Sequence, residues 1–535
     1  MSDKEFDIKK AYERWLREEQ RSSRGKKDSR EEGGNRTDKN SRAEDGKRTD
    51  KGSRGKGPSD RSGKNKIQGV SVLQGDHAAD DGTAGRKSAK KGARGNSSGE
   101  GKKAESPDRG RRPARESMRV KEGTRVRIEQ RANLQGENAG GNIVCPYAKR
   151  CGGCSYINRD YEWTLGYKEM KIRRLLKPYV NLSGIVGMED PFHYRNKVHA
   201  VFAHVRDGHR ERNVAGIYEQ GTHKVVPVEK CMIENEKADE IIQDILRMLS
   251  SFKIKVYDED TGYGLLRHVL VRTAHVTGQI MVVLVLSSPI LPGKNNFVKA
   301  LREKHPEITT IILNVNDEQT SMVLGERETV LYGKGYIEDR LCGHTFRISA
   351  KSFYQVNSVQ TEKLYRKAVE YANLTGHERV IDAYCGIGTI GITAAAKAKE
   401  VIGVELNGDA IRDAVRNARE NKIKNISFYT NDAGDFLSQM AQNGEKTEVV
   451  FMDPPRSGST EKFMSAAVSM SPGRIIYISC EPETLARDLK WLQAHGYKAR
   501  EATAYDMFPF TENAEVIVLL SKNGEGKQSG RKMRQ

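Results

Sequence analysis

Residues 377–405, HERVIDAYCGIGTIGITAAAKAKEVIGVE, decide the fold of this 535-residue chain. An apolar run, a glycine-rich turn, an alanine-rich run with helical spacing and a second apolar run follow one another, as in a strand–helix–strand unit. The same alternation continues to residue 522, which predicts a parallel sheet covered by helices on both faces. We therefore predict an α/β, doubly wound, Rossmann-like domain over residues 350–522. Its ligands should bind beyond the carboxyl ends of the strands.

The glycines of this stretch indicate a nucleoside site. Gly386, Gly388 and Gly391 fit the pattern GxGxxG, which alone is weak evidence for a dinucleotide. Asp382 precedes these glycines, and Glu405 closes the second strand, where it can accept hydrogen bonds from ribose hydroxyls. A carboxylate at Asp382 favours a cationic sulfonium over an anionic pyrophosphate. The pattern therefore favours S-adenosylmethionine, with NAD(P) as the alternative.

Three further strand ends carry reactive side chains. Asp453 begins DPPR (453–456) after the fourth apolar run, and Cys480 lies in SCEPETLARD (479–488) after the fifth. Glu515 comes just before the last run. Because these strand ends should share one edge of the sheet, a thiol and a carboxylate are predicted to meet there. That pairing is typical of covalent catalysis with a general base.

A cysteine-rich segment, predicted over residues 140–190, precedes this domain. CPYAKRCGGC carries Cys145, Cys151 and Cys154, and Cys231 follows much later. Three clustered thiols with one remote thiol can hold an iron–sulfur cluster. Zinc bound by four cysteines is the alternative.

Residues 191–345 contain alternating apolar runs and two segments with helical spacing, which predict an α+β domain built on an antiparallel sheet. Within it, FHYRNKVH at 192–199 combines basic and aromatic residues. Such a patch could contact an RNA backbone, although it could equally be the solvated face of a hairpin.

The amino-terminal region has a different composition. Residues 1–120 hold 33 lysines and arginines against 21 aspartates and glutamates, so most of the chain's net charge of +19 lies there. Residues 1–117 have too little apolar surface to offset the entropy of ordering and are predicted to be a disordered basic tail. Residues 6–20 within it have the spacing of a short helix. Residues 523–535 form a second basic tail. The amino-terminal tail should raise non-specific RNA affinity through counterion release, or serve as a solvated linker.

The chain carries no apolar run long enough to span a bilayer, and its amino terminus lacks the pattern of a secretory signal. We therefore expect a cytoplasmic protein without a membrane partner. Its seven cysteines are then more suited to metal binding or catalysis than to disulfides.

The motifs together resemble the RNA 5-methyluridine (uracil-C5) methyltransferases, in particular the cluster-containing type that acts on 23S ribosomal RNA. The resemblance spans about residues 140–522 and also includes SFYQVN (352–357) and MFPFTENAE (507–515). It implies an S-adenosylmethionine-dependent enzyme that acts on RNA as a monomer. The implied S-adenosylmethionine ligands are Gln355, Tyr384, Glu405 and Asp453. The implied nucleophile is Cys480, the general base Glu515, and the ligands of a 4Fe–4S cluster Cys145, Cys151, Cys154 and Cys231.

The chain departs from this family at three places. Glu481 stands where an asparagine is common, and Phe510 and Asn513 stand where some members carry histidines. The basic tail occupies the place of a small β-barrel RNA-binding module. The predicted reaction is methylation of uridine C5 in 23S ribosomal RNA through a covalent cysteine–C6 adduct. The alternatives are a transfer RNA methyltransferase, an NAD(P)-dependent oxidoreductase, and a metal-stabilised RNA-binding or ribosome-assembly factor.

Overall fold

The structure is a computed structural model that describes residues 69–71, 144–207, 210–318, 320 and 322–523. The predicted helix at 6–20 lies outside these residues, as does the carboxyl-terminal tail beyond Asn523. Of the tail predicted to be disordered, only Gly69–Ser71 is described, and it forms a strand.

The helices of the described chain are α1 (Tyr161–Leu176), α2 (Glu236–Ser251), α3 (Lys294–Lys304), α4 (Ser358–Ala372), α5 (Thr389–Ala395), α6 (Gly408–Glu420), α7 (Ala433–Gln442), α8 (Glu461–Ser469) and α9 (Pro482–Ala494). The first strands are β1 (Gly69–Ser71), β2 (Leu182–Val186), β3 (Lys197–Asp207), β4 (Arg210–Tyr218), β5 (Val225–Pro227), β6 (Leu266–Thr273), β7 (Ile280–Leu286), β8 (Ile308–Val315) and β9 (Arg327–Tyr332). The others are β10 (Ile337–Leu341), β11 (His344–Ile348), β12 (Arg379–Ala383), β13 (Glu400–Glu405), β14 (Ile426–Thr430), β15 (Val449–Met452), β16 (Arg474–Ser479), β17 (Tyr497–Tyr505) and β18 (Glu515–Lys522). In the part of the chain that the structure describes, no helix is both long and apolar enough to cross a bilayer.

The larger sheet has the strand order β1-β14-β13-β12-β15-β16-β18-β17-β2. Strands β12 to β16 run parallel, as predicted. The prediction of a wholly parallel sheet is wrong at both ends, because β18 inserts antiparallel between β16 and β17 and β1 pairs antiparallel with β14. Strand β17 was not predicted, since YKAREATAY mixes apolar with charged residues. The order reverses beside β12, which creates a crevice at its carboxyl end.

Both faces of this sheet are covered, because successive strand residues point to opposite sides. Val380 of β12 joins a core built with α4, α5 and α6. Ile381, the next residue, joins a core built with α1, α7, α8 and α9. The apolar runs in the sequence reflect this double burial.

The second sheet has the order β5-β4-β3-β6-β7-β8-β9. It is antiparallel as predicted except between β7 and β8, which run parallel because α3 forms the crossover between them. One face packs on α2 and α3. The other face contributes Met281 and Val283 to the core that contains Val380. The two sheets therefore share a continuous apolar core.

Candidate active site

The turn after β12 is sharp. Tyr384 has a left-handed φ of 64°, an uncommon value for a bulky residue. Gly386 and Gly388 have φ values of 54° and 82°, which glycine adopts without steric cost. A Cβ atom at Gly388 would lie only 2.8 Å from Phe428 Cζ. The sequence of this turn therefore fixes a tight passage from strand to helix and leaves space beyond the strand end.

The buried side chain of Asp382 stabilises this turn. Its Oδ2 accepts a hydrogen bond from the Gly391 backbone N–H at 2.7 Å, and the residue is 1% exposed. Burial raises the pKa of this carboxyl to about 7, with the Gly391 N–H opposing the rise. Asp382 is not among the residues that line the adjacent cavity. Its observed contact is with the glycine turn, and its assignment to S-adenosylmethionine binding stays a prediction.

Glu405, at the end of β13, is tied to the same turn. Its Oε2 accepts from the Gly386 N–H at 3.2 Å, and its Oε1 accepts from the Asn407 N–H at 2.8 Å. A carboxylate offers about four acceptor positions, so two remain for other donors. Glu405 is thus held in place and can still accept hydrogen bonds from vicinal hydroxyls.

The other predicted cofactor residues share a narrow cavity beyond the ends of β12 and β15. Its lining includes Gln355, Tyr384, Gly386 and Asp453, with Phe353, Tyr354, Tyr365 and Thr389. Gly388 does not line it and instead forms the amino-terminal cap of α5. Tyr384 packs at 46° on Phe463, with the ring centroids 5.3 Å apart.

Cys480 and Glu515 meet at the next strand ends. In the antiparallel pairing of β16 with β18, Ser479 lies opposite Val516. Continuing this register by one residue places Cys480 opposite Glu515. Directly opposite residues have Cβ atoms about 4.5–5.5 Å apart. The fold therefore brings together the thiol and the carboxyl that the sequence separates by 34 intervening residues.

The electrostatics of this pair are governed by burial. Burial, and then the Asp453 carboxylate, raise the pKa of Glu515 to about 8. Burial, followed by the Glu515 and Asp453 carboxylates, raises the pKa of the Cys480 thiol to about 11. Arg456 opposes both rises. When Glu515 is protonated it no longer disfavours the thiolate, so Cys480 ionises more easily in that state.

Glu515 follows a loop, residues 506–514, that is held by the segment around α1. The buried Lys168 donates to Asp506 Oδ1 at 2.6 Å, to the Phe508 carbonyl at 3.0 Å and to the Asn513 carbonyl at 2.8 Å. The Tyr156 N–H donates to the Phe510 carbonyl at 2.9 Å. The position of Glu515 thus depends on residues more than 300 positions earlier in the chain.

The four cysteines expected to bind a cluster line one cavity of about 410 Å³: Cys145, Cys151, Cys154 and Cys231. All four are free thiols. The Gly153 N–H donates to Cys151 Sγ at 3.4 Å, and the backbone N–H groups of Ile233 and Glu234 face the Cys231 sulfur. Within the described residues, no group of three or more His, Cys, Asp or Glu side chains is arranged to hold a single metal ion.

Sequence reasoning left several neighbours of the site without a role. Arg456 belongs to the quoted DPPR motif, and Phe353 to SFYQVN, yet neither was assigned. Phe353 is 66% exposed at the cavity, which is unusual for so large an apolar side chain. Lys168 carried no usable signal, because a lysine on a helix is ordinarily solvent-exposed.

The doubly wound sheet, its glycine turn and the carboxylates at its strand ends define the class of S-adenosylmethionine-dependent methyltransferases. Residues 160–523 match the model of the family described as tRNA (Uracil-5-)-methyltransferase, and the chain belongs to this family. It is an S-adenosylmethionine-dependent RNA uracil-C5 methyltransferase. The alternative of an NAD(P)-dependent oxidoreductase is therefore wrong.

Similar proteins agree with this assignment. An uncharacterised RNA methyltransferase of Caldanaerobacter subterraneus subsp. tengcongensis is 41% identical over 71% of this chain and 84% of its own length. One of Bacillus cereus is 42% identical over 71% of this chain and 82% of its own length. The structure of the Pyrococcus abyssi tRNA (uracil-54, C5)-methyltransferase in complex with S-adenosyl-L-homocysteine aligns with a TM-score of 0.59 and 28% identity. That alignment covers 69% of this chain and 86% of the other.

Proposed function

We propose that this enzyme methylates C5 of a uridine through a covalent bond between Cys480 and uracil C6. The observation that carries the proposal is the placement of Cys480 opposite Glu515, beside the cavity lined by Asp453. A nucleophile and a base at adjacent strand ends can act in turn on one substrate ring.

Cys480 supplies the activation that uracil lacks. Its thiolate adds to C6, and the electron pair of the C5–C6 double bond moves onto C5 as an enolate. C5 then attacks the methyl carbon of the sulfonium, so that a C–C bond forms and the methyl–sulfur bond breaks. The thioether product, S-adenosylhomocysteine, leaves with the electron pair of the broken bond.

Glu515 completes the reaction as the general base. It takes the proton from C5, the double bond re-forms, and the thiolate of Cys480 is released from C6. A base with a pKa of about 8 is well matched to this role, because a general base works best when its pKa lies near the operating pH. The carboxyl must lose its own proton before this step. Afterwards it must release to solvent the proton that it took from C5.

S-adenosylmethionine supplies the methyl group, and the residues present fit it. We assign its binding to Gln355, Tyr384, Glu405 and Asp453, with Gly386 giving close backbone approach. The carboxylate of Glu405 retains free acceptor positions, and the other three residues line the cavity directly. Gly388 and Asp382 act through the shape of the turn.

The RNA substrate must present its uridine outside a base stack, since the reaction needs access to both C6 and C5. We propose 23S ribosomal RNA as the substrate, because the four-cysteine segment is the feature that resembles the ribosomal type. Transfer RNA is the second candidate, which the 28% identity to the Pyrococcus abyssi tRNA enzyme favours.

We further propose that Cys145, Cys151, Cys154 and Cys231 hold a 4Fe–4S cluster. The donor set fits, since four thiols line one cavity and two of their sulfurs face backbone N–H groups. A cubane cluster would use one thiolate for each of its four irons, so it would engage all four cysteines. Zinc bound by the same four cysteines is the alternative.

The test is transfer of labelled methyl groups from S-adenosylmethionine to total RNA from cells that lack the protein. Ribosomal and transfer RNA are then separated and 5-methyluridine is mapped in each. We expect label at uridine C5 in 23S ribosomal RNA. Label only in transfer RNA would establish the second candidate, and the absence of 5-methyluridine in both would refute the proposed function.

A further inference from the structure

Three aromatic rings and a cation form an exposed cluster at the start of α1, here called the aromatic platform: Tyr156, Arg159, Trp163 and Tyr167. Trp163 and Tyr167 stack with centroids 5.2 Å apart and an interplanar angle of 8°. The ring of Tyr156 meets both edge-on, at 5.8 and 5.7 Å. The Arg159 guanidinium lies 5.2 Å from the centre of the Trp163 ring.

The platform is open to solvent among the described residues. Trp163 is 45% exposed and Tyr167 is 38% exposed, and Met170, on the same helix face, is 46% exposed. Scattered exposed apolar residues need no explanation, but a stacked aromatic group marks an interaction site more often. Its rings are already ordered against one another, so a flat ligand would bind with little loss of side-chain entropy.

Helix α1 and the residues just before it contact two elements that carry active-site residues. The backbone of Tyr156 binds the loop that leads to Glu515, through the Phe510 carbonyl. Farther along α1, Lys171 forms an ion pair with Glu483 at 3.3 Å. Glu483 lies in the first turn of α9, three residues after Cys480. Helix α1 therefore lies against both elements that carry the catalytic pair.

We propose that the aromatic platform stacks an unpaired nucleobase of the RNA substrate that flanks the target uridine. Aromatic rings interleaved with arginine are the usual means of holding single-stranded RNA, because every base has a π face and every nucleotide a phosphate. When the target uridine leaves the stack, its neighbour loses a stacking partner, and the platform replaces that partner. The inference rests on the proposed function in that the substrate is RNA.

Trp163 can report on this contact directly. The chain contains three tryptophans, Trp15, Trp163 and Trp491. In the full chain carrying Trp15→Phe and Trp491→Phe, we expect a single-stranded, mixed-sequence RNA of about 12 nucleotides, within the usual size range of such sites, to quench Trp163 fluorescence. An unchanged emission on RNA binding would overturn the proposal.

Affinity gives the second measurement. Stacking is worth about 1–3 kcal/mol per base, so Trp163→Ala should raise the Kd for this RNA roughly 5- to 150-fold. The slope of log Kd against log salt should stay unchanged, because stacking releases no counterions. Trp163→Phe, which keeps a π face, should restore most of the affinity. Tyr263→Ala is the matched control, since Tyr263 is 80% exposed and lies outside the platform.

Three results would contradict the proposal. The first is that Trp163→Ala binds the RNA as tightly as the unmodified chain does. If the unmodified chain still methylates RNA, this result would refute the platform proposal and leave the proposed function standing. The second is that removal of residues 1–143 newly exposes Trp163 to acrylamide, which would make that segment the occupant. The third is that the unmodified chain is a dimer and Trp163→Ala makes it monomeric, which would make a second copy of the chain the occupant. An unmodified chain that neither binds nor methylates RNA would refute the proposed function as well.

Discussion

At the scale of single residues, Glu515 combines a buried position with a proposed role, that of general base, which needs a negative charge. The residue is 3% exposed, and no described side chain or backbone group donates a hydrogen bond to its Oε2. An unsatisfied buried carboxylate is costly, which is the physical origin of its raised pKa. The same cost brings the pKa of Glu515 close to neutral pH, where the carboxyl can both gain and lose a proton.

This cost should be visible in stability. The carboxyl of Glu515 titrates at its ordinary value of 4.5 when unfolded and at about 8 when folded. Between these pH values the folded state binds more protons, so the free energy of unfolding falls as pH rises. Glu515→Gln removes this loss. We expect the variant to be more stable than the unmodified chain, by a margin that grows from pH 5 to pH 8.

Chemical unfolding midpoints at several pH values measure this margin. The control is Glu501→Gln, which removes an exposed glutamate from β17. Its midpoint should follow that of the unmodified chain at every pH. A constant difference between Glu515→Gln and the unmodified chain would show that the carboxyl has no raised pKa in the folded protein.

At the scale of elements, the loop 506–514 is fastened by one buried ion pair. Lys168 and Asp506 are 2% and 0% exposed at their side chains. Lys168→Met would leave Asp506 as an uncompensated buried charge, which typically costs about 3–5 kcal/mol. We expect this loss in the free energy of unfolding, together with slower methyl transfer because the loop carries Glu515.

Lys171→Met is the matched control for this prediction. Lys171 lies one turn along the same helix, and its ion pair with Glu483 is exposed, so the change should stay within about 0.5 kcal/mol. The double variant Lys168→Met with Asp506→Asn should recover part of the lost stability. Equal unfolding midpoints for the two single variants would contradict the role of the buried pair.

The elements also show what the sequence can and cannot predict. Strands β12 to β16 were predictable, because burial on both faces leaves uninterrupted apolar runs such as RIIYIS in β16. Strand β17 was not, since its exposed positions break the run. The reversed direction of β18 has no local signal, because pairing partners are chosen by the whole sheet.

Some residues of the candidate site could likewise be predicted from the sequence, and others could not. Strand-end position and residue chemistry were enough to indicate Asp453, Cys480 and Glu515, which the fold brings together. The hydrogen bond between Asp382 and the glycine turn was not predicted, because the direction of a side chain depends on the packing around it. Lys168 could not be found, since its partners lie more than 300 residues away.

At the scale of the whole molecule, the cysteine cavity and the catalytic end are joined by packing. Ile157, Tyr161 and Phe510 share an apolar cluster against which Cys145, Cys154 and Cys231 pack. Phe510 belongs to the loop before Glu515. Loss of a bound cluster would therefore disturb the loop as well as the cysteine segment. The monomeric state and the role of the basic tail stay predictions.

Metal analysis of the purified chain tests this cavity. We expect a brown protein under anaerobic conditions with about four irons per chain, as a four-thiolate cubane requires. Cys231→Ser should lower the iron content, whereas Cys342→Ser, which changes a thiol outside the cavity, should leave it unchanged. Stoichiometric zinc without iron would contradict the proposed cluster.

The covalent adduct with RNA tests the central claim most directly. Glu515→Gln should permit addition and methylation but block removal of the C5 proton, so a denaturation-resistant complex of protein and RNA should accumulate. Adding Cys480→Ala to this variant should abolish the complex, while adding Cys342→Ala should preserve it. Gel electrophoresis under denaturing conditions, after incubation with S-adenosylmethionine and RNA, measures each outcome. A complex that survives Cys480→Ala, or full turnover by Glu515→Gln without any complex, would contradict the mechanism.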